Sequence, residues 1–598
     1  MKKFKKGIQI FLLLLLIACE KPSLNVVMED PDVTVPPIVS TNFSENFGAP
    51  INSDFIGSVF DTNSLPVAGV NIIIGAATAT TDENGVFIIK EATVNENFAY
   101  IKAAKSGYIN GSRAVIPTTG TNNITIMLLE QNELGTINSG EVKTIASNGA
   151  SVTLNGDFVK EDGSNYTGTV KVHLHHLNPI DENMSDQMPG MLYAENSDGE
   201  ERMLQTLGML SLELKGSAGE DLNISTGSSA KITIPLDPSL LPIAPSTIPL
   251  WYFDEENGYW KEEGEAVLIG TNYVGTVTHF SFWNCDIPAE AVRFNVSLTD
   301  DADIPLVFSY VTITSNTFGT RGGFTNEYGV VSGLIPSNEV LTLEVFDANI
   351  CGKNSIYTES VGPFSSDASL EITVPLNTDI ISETIKGNFT KCDNTSVSNG
   401  YVIVSYGNDR YINTVTDGDF EVHLLRCTTE ATFSIIGYDY ESLQGTGEIN
   451  YTFSSPTTHL GTLISCNSIK NIISYQIDDD EPIFILDPPV TFSQNPDSGR
   501  PMIEIGEYDQ GINCFWLRGN LTLNNGSYVG EYLASYNDFY FIENCPFSVE
   551  QLGSDVFFDV TTFGDIGEYI DINFAGTYND FQGLSHSITG TIHVLRTN

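Results

Sequence analysis

Four landmarks recur in the same order in two distant stretches of this chain. Ile56-Gly57-Ser58-Val59 returns as Lys386-Gly387-Asn388-Phe389, and Ala68-Gly69-Val70-Asn71-Ile72-Ile73 as Asn399-Gly400-Tyr401-Val402-Ile403-Val404. Thr81-Asp82-Glu83-Asn84-Gly85 is answered by Thr416-Asp417-Gly418-Asp419-Phe420, and Gly107-Tyr108 by Gly437-Tyr438. Such self-similarity means that one unit of architecture is used more than once. A thinner version, with Ile304-Pro305-Leu306 and Thr325-Asn326-Glu327-Tyr328-Gly329-Val330-Val331, predicts a third related unit over 291–378. Between landmarks run short apolar, β-branched segments closed by Gly, Asn or Asp, the pattern of strands joined by tight turns. Asn84-Gly85 is expected to supply the positive φ angles of a hairpin.

The order G-x-V-x-D, P-x-x-G-x-x-V, T-D-x-x-G-x-F and G-Y over 50–131 resembles the carboxypeptidase regulatory-like domain, which implies a transthyretin-like β-sandwich. In that family the sandwich is an accessory beside the zinc hydrolase, so the resemblance implies no catalysis. The repeat predicts the same fold over 379–466. Region 132–290 contains runs such as Gly168-Thr169-Val170-Lys171-Val172-His173-Leu174 and the aromatic hairpin Leu250–Trp260, read around Asn257-Gly258. It is similar to the region that follows a regulatory-like domain in cartilage intermediate layer proteins. Residues 467–598 open and close on strand patterns, Ser474–Ile485 and Ile588–Val594, and read as one more antiparallel β-domain. The expectation is an all-β chain of tandem transthyretin- or Ig-like sandwiches with an additional C-terminal β-domain. A length of 598 residues, far beyond what one core serves, agrees with several domains. The scarcity of charged residues, 17% of the chain, fits strands better than exposed helices.

The first residues, Met-Lys-Lys-Phe-Lys-Lys, precede an apolar run from Ile8 to Ala18 that ends at Cys19. A run of that length reads as a signal peptide over 1–18, too short for the roughly 20 residues of a membrane-spanning helix. Leu16-Ile17-Ala18-Cys19 resembles the lipobox of bacterial lipoproteins, which implies acylation of Cys19, with palmitate among the chains. Several acyl chains hold a protein on a membrane where one holds only marginally. Residues 19–49, with Pro36-Pro37 and little apolar periodicity, read as the lipidated Cys and a flexible tether. The domain style resembles exported proteins of Bacteroidota, which implies an outer-membrane lipid anchor, periplasmic or surface-exposed.

Charge narrows the partners further. The formal net charge is −49, and removal of 1–18 takes away four lysines and no acid. Nucleic acid is excluded, because binding a polyanion requires a basic stripe. With Cys19 committed to lipid, seven cysteines remain, so at least one cannot pair within the chain. Cys514 with Cys545 is the candidate disulfide; the pairing of Cys285, Cys351, Cys392, Cys427 and Cys466 stays open.

Few residues offer chemistry. His173 and His175 share one face of a strand, with His176 on the other, and two imidazoles without a third ligand make a weak metal site. Asp82-x-Asn84-Gly85 and Asp478-Asp479-Asp480-Glu481 have calcium-like oxygens without the spacing of a calcium loop. No His begins the His-x-x-Glu pair of the zinc peptidases, and no G-x-S-x-G elbow or phosphate loop is present. Trp251, Tyr252, Tyr259 and Trp260 suit either a sugar-stacking platform or a packed core. The expectation is a non-catalytic scaffold or binding protein without cofactor, facing a glycan or protein ligand at the cell surface. The rival readings are a glycan-binding accessory protein and a metal-dependent hydrolase.

Overall fold

Each repeat is built around its opening strand: Pro50–Phe60, Ala291–Thr299 and Ile380–Lys391. In all three this strand pairs antiparallel with a later strand, Val86–Asn95, Val330–Pro336 or Asp419–Cys427. It also pairs parallel with a still later one, Thr121–Met127, Ala368–Thr373 or Thr457–Ser465. The facing sheet has the same order in the first two copies: Ala77–Thr80, Asn71–Ile74, Ala99–Ala104, Gly111–Val115, then Gly319–Phe324, Tyr310–Ser315, Leu341–Phe346, Ser355–Val361. In the third copy Asp409–Val415, Gly400–Tyr406 and Thr432–Asp439 take these places, and short strands extend the edge. The computed structural model describes residues 43–596, apart from 349–350, 377–378, 441, 443, 469–470, 479–482, 487, 496–497, 507–514, 524–525, 536–537, 544–554, 567 and 580–583.

The likeness reaches individual hydrogen bonds. The opening strand turns through Ser64, Asp303 or Asn394, each left-handed with φ of 61°, 61° and 68°. In the first two copies an aspartate closes this turn: Asp61 Oδ1 accepts from the amides of Asn63 and Leu65, Asp300 Oδ1 from those of Ala302 and Ile304, all at 2.8–2.9 Å. Further on, Thr81 Oγ1 accepts from the Val70 amide and donates to Val67 O, as Thr325 Oγ1 accepts from Ser309 and donates to Leu306 O. Short polar side chains favour such local bonds to the backbone, which is why Asp and Thr sit at these corners.

The Asp82–Gly85 turn is a corner between the two sheets, joining Ala77–Thr80 of one to Val86–Asn95 of the other, and not a hairpin within one sheet. Gly85 alone takes positive φ, 71°, and a Cβ there would lie 2.5 Å from Val59 O. Asn84 does not, because Asp82 Oδ1 already holds the turn through the amides of Asn84 and Val86, at 2.9 and 3.0 Å. In the third copy the corner is shorter: Asp417 and Gly418 both take positive φ, and Thr416 bridges Asp419.

Fourteen strands between Glu133 and Ala289 form one hydrogen-bonded network. It closes on a large, mainly aliphatic core including Val152, Val172, Leu212, Ile232 and Leu250, with Trp283 among them. The named strands of the C-terminal segment pair antiparallel, in a six-stranded sheet centred on Ser585–Leu595 and Tyr569–Asn579 facing a four-stranded one centred on Pro501–Gly506 and Phe515–Asn520. Its core is aromatic, with Phe515, Phe539, Phe541, Phe558 and Phe574.

Two features of how these parts meet go beyond the sequence expectation. Asn42–Asn598 is a single compact unit. Ile56, Val86 and Ile88 of the first sandwich share a buried cluster with Tyr401, Ile403 and Tyr438 of the third and with Ile472. The second is at the end of the tether. Phe43–Phe47 is a 3-10 helix whose two phenylalanines are buried among Phe98, Ala114, Tyr193 and Tyr259. Phe47 stacks on Phe98 at 4.4 Å and Phe43 lies 4.6 Å from Tyr259. Burial of a phenylalanine contributes about 1.5–3 kcal/mol, which overrides the polar, turn-rich composition around the helix. Arg293 donates to Asn46 O at 3.0 Å and to Glu201 at 2.6 Å, so three segments converge on this helix.

Candidate functional site

The histidine strand is Thr169–Leu177. Its neighbours place Glu133 and Glu213 directly beside His173. These groups do not converge on an ion: among the described residues no set of three or more His, Cys, Asp or Glu is arranged to hold a metal. His175 Nε2 is instead engaged with Glu130 O at 2.8 Å. His173 is 6% exposed, and burial lowers its affinity for a proton. Burial pushes Glu213 up to about 7, and Gln131 donates to it at 3.0 Å.

The aromatic hairpin is likewise interior. Trp251 and Trp260 are 0% exposed and Phe253 is 1% exposed, packed with Met184, Leu204 and Phe282, while Tyr252 packs against the neighbouring aliphatic core. Trp251 Nε1 donates to Asp286 O at 3.3 Å. A sugar ring cannot reach these faces, so the stacking platform is overturned in favour of core packing. The loop is four residues long, with Gly258 at φ 83° donating to Asp254 O at 2.7 Å.

Of the acidic candidates, Asp478 is engaged by His586 Nδ1 and the Ser587 amide, both at 2.7 Å, which hold its carboxyl below the usual range. Asp479, Asp480 and Glu481 lie outside the described residues, as do Cys19, Cys514 and Cys545. The described cysteines form two bridges. Cys392–Cys466 lies within the third sandwich, and Cys351–Cys427 ties the second to the third, with Cα atoms 5.0 and 5.6 Å apart. Cys285 is a buried free thiol.

Asp82 has a use that its local sequence does not show. Besides capping its own corner, it receives the phenol of Tyr401, and Asn84 Nδ2 donates to the same phenol at 3.0 Å. Tyr438 stacks on Tyr401 at 5.4 Å, and Tyr440 donates to Thr80 O. The equivalent corner of the second sandwich also reaches a neighbour: Asn326 Nδ2 donates to Thr118 Oγ1 and Thr119 O at 3.0 and 2.7 Å, and Glu327 accepts from the Thr121 amide at 3.0 Å. The repeated corner is thus the device by which one sandwich grips another.

A second buried polar group lies in the third sandwich. Glu383, 0% exposed, receives Arg426 Nε at 2.8 Å, Ser455 Oγ at 2.7 Å and Thr458 Oγ1 at 3.3 Å. Arg426 also donates to Glu430 O at 2.6 Å and lies over the Phe453 ring at 4.9 Å. Its role is to join strands.

A cleft of about 190 Å³ lies where Ile73, Lys102 and Ser112 of the first sandwich face Pro189, Phe253, Glu255 and Phe282. No helix among the described residues is long and apolar enough to cross a membrane.

No family model matches the chain. Part of it is similar to cartilage intermediate layer protein 2 of Homo sapiens, 29% identical over 137 residues, which is 23% of this chain and 12% of that protein. Cartilage intermediate layer protein 1 of Sus scrofa is 30% identical over 112 residues, 18% of each chain. The match therefore spans less than a fifth of these relatives. Among solved structures, the shaft pilin of Lactobacillus rhamnosus GG aligns over 30% of this chain and 99% of its own, at 8% identity and a TM-score of 0.16. The Bacillus anthracis TIE protein aligns over 84% of this chain and 70% of its own, at 8% identity and a TM-score of 0.15.

Proposed function

We propose that this chain is a lipid-anchored envelope protein of a diderm bacterium that serves as a non-catalytic β-scaffold. The observation that carries this reading is the run Leu16-Ile17-Ala18-Cys19 closing a signal-peptide pattern. The proline-bearing segment behind it leads to the docked helix Phe43–Phe47. In this reading Cys19 is acylated and inserts in the outer membrane. The body from residue 43 onward then presents its surface to a glycan or a protein. The strongly acidic composition keeps that body solvated and repels anionic headgroups.

Growth with an alkyne-tagged palmitate analogue tests the anchor. The parent chain is expected to take up the label and partition with membranes, and Cys19→Ala to lose both properties. An unlabelled parent chain found wholly in the soluble fraction contradicts the anchor. Protease treatment of intact cells then separates the two faces: loss of the 467–598 segment places the body outside, and protection places it in the periplasm.

A further inference from the structure

We propose that the grip of the first sandwich on the third is a proton-gated closure. One position of the repeat carries two different side chains. In the second sandwich it is Asn326, whose Oδ1 takes the amides of Tyr328 and Val330 at 2.9 and 3.0 Å while its Nδ2 donates across the contact. In the first it is Asp82, whose Oδ1 takes the amides of Asn84 and Val86 while Oδ2 meets the Tyr401 phenol. The local turn is the same, but across the contact Asn326 donates and Asp82 accepts, and at this position only Asp82 can ionise.

The surroundings of Asp82 set what ionisation does. The residue is 2% exposed, and Tyr401 and Tyr438 are 0% and 1% exposed. Burial raises the phenols of Tyr401, Tyr438 and Tyr440 above their ordinary value, so they stay neutral and bring no charge. Glu83, on the same turn, disfavours a second negative charge. Arg410, over the Phe60 ring at 5.8 Å, is the cation facing the group from the third sandwich. Ile56, Val86, Ile88, Ile403 and Ile472 supply the rest of the wall. Burial outweighs the hydrogen bonds and pushes the Asp82 carboxyl up to about 7, from 3.8 in water.

Opening the contact returns Asp82 to water and to that lower value. Between about pH 4 and 7 the closed form therefore holds more protons than the open form. Closure tightens as pH falls from 7 and loosens as pH rises toward 7, by up to about tenfold per unit, then levels off once both forms are ionised.

Ile403, 1% exposed inside this contact, is the reporter position. In full-length Ile403→Cys, the rate of labelling by a thiol reagent, divided by the rate for a free thiol at the same pH, reads the opening. The expected result is a corrected rate that rises by up to about tenfold per unit between pH 5 and 7, and an Asp82→Asn companion that is flat, since Asn326 shows an amide holding the same local turn. A flat profile in the Asp82 chain overturns the proposal by itself, whatever the companion does. Parallel slopes in the two chains overturn it as well.

Discussion

Glu383→Ala is expected to destabilise the third sandwich by about 3–5 kcal/mol, measured by denaturant unfolding followed by tyrosine fluorescence. The substitution leaves the Arg426 guanidinium, 8% exposed at its side chain, without the carboxylate that meets it at 2.8 Å. An unpaired charge in an apolar interior costs several kcal/mol, more than the pair itself contributes. It also strips acceptors from Ser455 and Thr458. The double variant Glu383→Met/Arg426→Met removes both charges and is expected to recover most of the loss, because apolar side chains of similar volume often replace a buried pair at little cost. A loss in the double variant as large as in the single one would show that the pair itself, not the orphaned charge, carries the stability.

Cys351→Ser is expected to cost about 4 kcal/mol, because the Cys351–Cys427 bridge closes a loop between residues 76 apart and cross-linking restricts the unfolded chain accordingly. The bridge acts where two cores already merge: Ile380 and Leu425 of the third sandwich are buried with Leu341, Leu343 and Val345 of the second. Its loss should therefore appear as separate unfolding of the two sandwiches, visible as two calorimetric transitions in place of one. Cys392→Ser opens a loop between residues 74 apart and should cost a similar amount, but within the third sandwich alone. Equal stability with and without reductant would contradict both expectations.

Much of the fold was legible because its signals are local. Turn residues at fixed offsets, the Thr-Asp and Thr-Asn corners, and apolar runs of strand length marked the three repeats, including the weaker one over 291–378. What depends on distant partners was not legible. Asn84-Gly85 looked like a hairpin, but Asp82 makes it a corner between sheets. Phe43 and Phe47 sat in a segment too polar and short to announce a docked helix; only the ring-lined junction of Phe98, Tyr193 and Tyr259 makes it one. One signal of the contact between sandwiches was present. Val86-Phe87-Ile88-Ile89 and Tyr401-Val402-Ile403-Val404 show no alternation of polar and apolar residues, and a strand apolar on both faces must be covered on both. All eight of these residues are buried, one face in the sandwich cores and the other in the shared contact. Which strand covers which could not be read, since the partners lie more than 300 residues apart.

The site candidates fared according to the same rule. The histidines and tryptophans were ambiguous because strand patterns place a ring on a face without saying whether a second layer covers it; here Trp251, Trp260 and His173 are covered, and His175 and His176 only partly. The role of Asp82 depends on a phenol 319 positions away.

The first sandwich lies against the third. Lys90 Nζ reaches Ser398 O at 3.4 Å, although 308 positions separate them. The most direct test is Lys90→Cys/Ser398→Cys treated with a short bis-maleimide at low protein concentration, each single variant serving as control. A cross-linked monomer joining peptides around 90 and 398 is the predicted result. A chain that stays uncross-linked, or links only between molecules, would contradict the contact and return the body to a row of separate sandwiches.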